Sequence, residues 1–110
     1  MGFIVKLLLT GAAAMIAAYI LPGVSIDGFL TAVILALVLA VLNAIVRPVL
    51  VFLTIPVTVF SLGLFLLVIN AIIILLADWL VEGFDTSGFF AALLFSLVLS
   101  VITWILDKLF

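Results

Sequence analysis

The chain has 110 residues, 72% of them hydrophobic and 7% charged. An average soluble domain is about 45–50% apolar and about 25% charged, and a soluble fold this small has too much surface to cover with so few polar groups. A soluble globular enzyme, a nucleic-acid binder and a disordered tail are excluded, which leaves an integral membrane protein with one membrane domain over residues 1–110.

Absences narrow the chemistry. Without cysteine there is no disulfide and no thiolate metal site, and without histidine the commonest general base and metal ligand are missing. The formal net charge is −2, from five acids and three bases. No run of like charge offers a polybasic lipid patch or a nucleic-acid surface. No catalytic constellation, metal site or cofactor motif is present, and the implied partner is the lipid bilayer itself.

A membrane span needs about 20 apolar residues at about 1.5 Å each. Turn signals fall at Pro22-Gly23 to Asp27-Gly28, at Arg47-Pro48, at Pro56, and at Glu82-Gly83 to Ser87-Gly88. They divide the chain into four expected helices at about 3–21, 28–46, 63–81 and 88–106. The first begins like a secretory signal, with Lys6 ahead of an apolar run. That run continues to Leu21, too long for a signal core, so it reads as a retained span. A strand reading fails because no segment alternates and four short strands cannot close a barrel.

Displacing the sequence by 60 residues lays 3–46 on 63–106 without a gap, and 11 of the 44 pairs are identical. This composition gives about five by chance. The expected fold is therefore an all-α membrane protein of four transmembrane helices, built as two parallel repeated hairpins. The linker between them is 47–62. Lys6, Arg47 and Lys108 then share one side with a single acid, Asp107, while Asp27, Asp78, Glu82 and Asp85 share the other. The positive-inside rule makes the first side cytoplasmic, with both termini on it. The linker is almost wholly apolar yet must return to the side it left. It is either interfacial, with turns at Arg47, Pro48 and Pro56, or re-entrant, turning near Pro56.

Inside the spans the polar residues are few. Asn70 lies near the middle of the third span, its repeat partner Thr10 is equally deep, and Asn43 lies one turn before Arg47. With Ser96 and Ser100 they form either helix-packing hydrogen bonds or a polar path. Small residues recur every fourth place: Ala32, Ala36, Ala40 and Ala44 on the second span, and Ala92, Ser96 and Ser100 on the fourth. In lipid, helices associate where small residues let backbones approach, so these rows predict close helix contacts, within the chain or in a homo-oligomer. Asp78, Glu82 and Asp85 read as outer-face charges that keep a loop wet.

Specific runs add a resemblance. Asn43-Ala44-Ile45-Val46-Arg47-Pro48-Val49-Leu50, Leu53-Thr54-Ile55-Pro56, Leu62-Gly63-Leu64-Phe65 with Ile69-Asn70-Ala71, and the paired Gly83-Phe84 and Gly88-Phe89 resemble the phage holin family 4, superfamily IV, YvlD-like small membrane proteins. The resemblance covers nearly the whole chain. It implies a four-span protein of the bacterial cytoplasmic membrane: a self-associating holin-like or structural component, or alternatively a small channel or carrier.

Overall fold

The structure is a computed structural model that describes residues 2–109. Five helices and two short strands follow in the order α1 (Phe3–Ile20), β1 (Val24–Ile26), α2 (Phe29–Leu53), α3 (Ile55–Phe60), α4 (Phe65–Leu80), β2 (Phe84–Thr86) and α5 (Phe89–Leu109). Three helices, α1, α2 and α5, are long and apolar enough to cross a membrane, and α4, with 16 residues, is a shorter apolar helix.

α1 packs on α2 and α4 on α5, and the two hairpins close into a bundle through α2 on α4 and α1 on α5. The strands fix its polarity. β1 and β2 pair antiparallel, Val24 with Thr86, Ser25 with Asp85 and Ile26 with Phe84. Both interhelical loops therefore lie at one end, and the start of α1, the end of α5 and the α2–α3–α4 connection at the other. The ribbon is extended by two more bonds, from Asp27 N–H to Gly83 O at 2.8 Å and from Ser87 N–H to Gly23 O at 2.7 Å. The sequence signals only turns here: three-residue strands between glycines are too short to show a period.

The core runs from the ribbon to the middle of the bundle. Phe84, Phe95, Leu35 and Ile69 are its largest fully buried side chains, and the rings of Phe84 and Phe95 meet at 5.4 Å between centroids, tilted by 48°. Away from the ribbon, burial falls off along each helix. Tyr19 and Trp79 are exposed near the ribbon end, and Trp104 near the other, as expected of aromatics at the two membrane–water boundaries. Lys108 Nζ sits 5.4 Å from the Trp104 ring centroid, a cation over an aromatic face.

The second helix departs from its expected boundary. It runs on through Arg47 and Pro48 to Leu53, 25 residues or about 37 Å, so neither residue forms a turn. Proline removes one backbone donor and crowds the carbonyl four residues earlier, here that of Ala44. Such breaks are tolerated in membrane helices, where neighbouring groups and local adjustments take up the freed carbonyl. α2 ends instead at Thr54, whose amide and hydroxyl both turn back to the Leu50 carbonyl, at 3.1 and 2.7 Å. Pro56 opens α3, in the first turn where the missing donor costs nothing.

α3 closes in a Schellman arrangement, Gly63 N–H to Thr58 O at 2.8 Å and Leu62 N–H to Val59 O at 3.1 Å. The left-handed position is occupied by Leu62, at φ 57°, where glycine is usual. No residue of α3 is buried, and Phe60 and Leu62 are 89% and 93% exposed.

Candidate functional site

The end of the bundle away from the ribbon is open, and the polar side chains singled out in the spans collect there. Two cavities stand out among the described residues, and the larger, about 450 Å³, lies among α1, α2 and α5. Lys6 and Thr10 line it from α1, Ala36, Ala40 and Asn43 from α2, and Ser100, Thr103 and Asp107 from α5. The smaller, about 80 Å³, lies among α2, α4 and α5 and is lined by Asn43, Arg47, Asn70, Ser96 and Ser100. Leu39, Asn43, Leu99 and Ser100 line both, so the two cavities flank one shared wall.

The positions of the two cavities correspond at the same displacement of 60 residues. Thr10 in one answers to Asn70 in the other, Ala36 to Ser96, Ala40 to Ser100, Asn43 to Thr103, and Arg47 to Asp107. The last pair differs in sign: the smaller cavity holds a cation where the larger holds a carboxylate.

Most of these polar groups bond locally or not at all. Arg47 Nη1 donates to Asn43 Oδ1 one turn away at 3.3 Å. Ser96, only 6% exposed, donates to the Leu93 carbonyl at 2.8 Å. Thr103 donates to the carbonyls of Leu99 and Ser100. These bonds stay within one helix. Toward the ribbon lies the packed core, where Leu35, Phe84 and Phe95 are fully buried.

The small-residue rows divide at the same level. Ala32, Ala36, Ala92 and Ser96 are buried, whereas Ala40, Ala44 and Ser100 are exposed. A row at four-residue spacing drifts around a helix of 3.6 residues per turn, and where the helices part it loses its cover.

The acids of the ribbon end have a local task. Asp78 Oδ2 accepts from both the backbone N–H and the hydroxyl of Thr86, at 3.1 and 2.9 Å, tying the end of α4 to β2. Among the described residues no three acidic side chains come together as a metal-binding group.

Sequence reasoning missed Lys6, Thr103 and Asp107 as cavity residues. The signal was available: Thr103 and Asp107 stand 60 residues after Asn43 and Arg47.

Comparison with known proteins extends this picture. The profile of a family described as mycobacterial 4 TMS phage holin, superfamily IV, matches residues 1–105. A Streptomyces coelicolor protein described as uncharacterized is 34% identical over 96% of this chain and 93% of its own length. A Bacillus subtilis protein described as an uncharacterized membrane protein, YvlD, is 37% identical over 80% of this chain and 75% of its own. No solved structure matches.

Proposed function

Because the chain belongs to the phage holin family described as mycobacterial 4 TMS, superfamily IV, we propose that it is a self-associating, holin-like or structural component of a bacterial cytoplasmic membrane, without enzymatic chemistry. The observation that carries this reading is the half-covered row on α2, where Ala40 and Ala44 are exposed although Ala32 and Ala36 are buried. In lipid there is no hydrophobic drive to cover such a face, and close backbone approach between small residues supplies the attraction instead. Ala44 lines neither cavity and leaves room for a second copy. Ala44→Leu should shift the protein toward monomer in native nanodiscs, read by chemical crosslinking, while its helical content is unchanged. A variant that crosslinks as well as the parent would remove this face from the interface.

Four spans arranged as two parallel hairpins, related by an axis near the membrane normal, fit this role. The ribbon register supports the arrangement, since Ser25 faces Asp85, its counterpart 60 residues on. So does the order of buried and exposed positions, which is the same over 31–40 and 91–100. The short α4 crosses with help from the turn before it, and α3 lies in the interface. The three bases favour a cytoplasmic open end. In Ser25→Cys the new thiol should label with an impermeant reagent added outside intact cells; labelling of Lys108→Cys instead would reverse the orientation.

A second reading, a small channel or carrier, is favoured by the wall that the two cavities share. In it Asn70 and Thr10 line a polar path whose ribbon half is shut by Leu35, Phe84 and Phe95. A selective flux in liposomes that disappears in Asn70→Leu, with assembly intact, would promote it over the structural role.

A further inference from the structure

The larger cavity holds two opposite charges that do not meet. Lys6 on α1 and Asp107 on α5 line the same space, and α1 packs directly on α5. Yet neither side chain forms an ion pair or a hydrogen bond among the described residues. Each lies within about one turn of its helix end, since α1 begins at Phe3 and α5 ends at Leu109. That places both at the depth of lipid headgroups. Both side chains are exposed, free to make charge-assisted hydrogen bonds to a headgroup, which are the strong ones.

We propose that this cavity binds the headgroup of a phospholipid bearing a primary ammonium, its phosphate toward Lys6 and its ammonium toward Asp107. A plain anion would meet the Asp107 carboxylate, and a plain cation would meet Lys6. Only a ligand carrying both charges satisfies both walls. Deeper in the cavity than the charges, Thr10 and Ser100 have hydroxyls with no partner among the described residues, and the Asn43 amide keeps its donors, since Arg47 takes only its oxygen. These suit phosphate and ester oxygens. Leu9, Leu39 and Leu99 line the cavity deeper in, an apolar wall along which an acyl chain can run. At about 450 Å³ the space falls within the range of ordinary small-ligand pockets. The smaller cavity makes the contrast within the same molecule: it has Arg47 and no acid, and it lacks the second charge that a dipolar headgroup requires.

Native mass spectrometry of the full chain in detergent, titrated separately with dioleoyl phosphatidylethanolamine, phosphatidylcholine and phosphatidylglycerol, tests the assignment. One phosphatidylethanolamine should be retained in preference to the other two, because the quaternary ammonium of phosphatidylcholine cannot donate a hydrogen bond and phosphatidylglycerol has no cation. Asp107→Asn should weaken phosphatidylethanolamine about tenfold, as expected for loss of one charge-assisted bond, and abolish the preference over phosphatidylglycerol. Lys6→Gln should weaken both phosphatidylethanolamine and phosphatidylglycerol. Circular dichroism checks that each variant keeps its helical content, and the two substitutions stand on different helices, so each tests the site independently. Equal retention of all three lipids by the parent, or an unchanged phosphatidylethanolamine affinity in Asp107→Asn, would overturn the proposal.

Discussion

Phe95→Ala should lower the unfolding free energy by about 3 kcal/mol or more, the usual cost of truncating a buried phenylalanine. Phe95 is fully buried in α5 and meets the equally buried Phe84 of β2. The ring therefore joins the ribbon to the bundle rather than filling space within one helix pair. In lipid the loss is mostly one of packing, because tails are as apolar as the side chain removed and the attraction between helices comes from close contact. A cavity at this site would leave Phe84 without its neighbour and loosen the seat of β2 on α5. The comparison is Phe90→Ala, five residues earlier in the same helix's first turn, where the ring is 71% exposed and truncation should change stability little. Unfolding of detergent-solubilised protein in increasing SDS, followed by circular dichroism, separates the two. If Phe95→Ala is no worse than Phe90→Ala, the ribbon is not held by this contact and the closed end of the bundle needs another explanation.

Much of this architecture is legible in the sequence because the membrane simplifies the problem. A chain with so few charges must satisfy its backbone within helices, so unbroken apolar runs locate α1, α4 and α5 to within three residues at each end. Pro48 misleads because the reading treats proline as a stop, a rule drawn from water. Inside an apolar segment, leaving the helix would expose more than the one carbonyl that proline frees, and α2 continues to Thr54, where a hydroxyl can take over the capping. The ribbon is invisible as strand because its glycines carry the signal and they announce only a turn. The site was legible residue by residue but not as a place. Thr10, Asn43, Asn70, Ser96 and Ser100 are conspicuous in an apolar chain, but that they line two cavities on either side of one wall depends on how far the helices part, which no single-helix pattern encodes. The Ala32 to Ala44 row shows the same limit: its spacing predicts contact along its length, and only its first half is covered.

Gly83→Ala should be among the most damaging single-atom-scale changes in the chain, at about 2–4 kcal/mol. Two costs add. Its φ is +89°, a left-handed backbone that charges an L-residue about 1–2 kcal/mol. A Cβ built there would also lie 2.9 Å from the Cβ of Asp27 and 3.1 Å from Cγ2 of Thr31. Neither neighbour can swing clear: Asp27 donates its backbone N–H to the Gly83 carbonyl, and Thr31 holds the Asp27 carbonyl through its hydroxyl at 3.1 Å. Overpacking of this kind adds about 1–3 kcal/mol. Gly23, the counterpart across the ribbon, has φ +83° and would place its Cβ 2.5 Å from Ser87 Oγ, but a serine hydroxyl can rotate away. Gly23→Ala should therefore cost less than Gly83→Ala. Gly28, at φ +98° with nothing within 4 Å, should show the backbone term alone, about 1 kcal/mol. The expected order of destabilisation is Gly83→Ala, then Gly23→Ala, then Gly28→Ala, measured in the same SDS titration. Equal effects at all three would mean that backbone conformation alone sets the cost and that the ribbon does not press the two loops together; a harmless Gly83→Ala would show that β1 and β2 are not paired in the membrane.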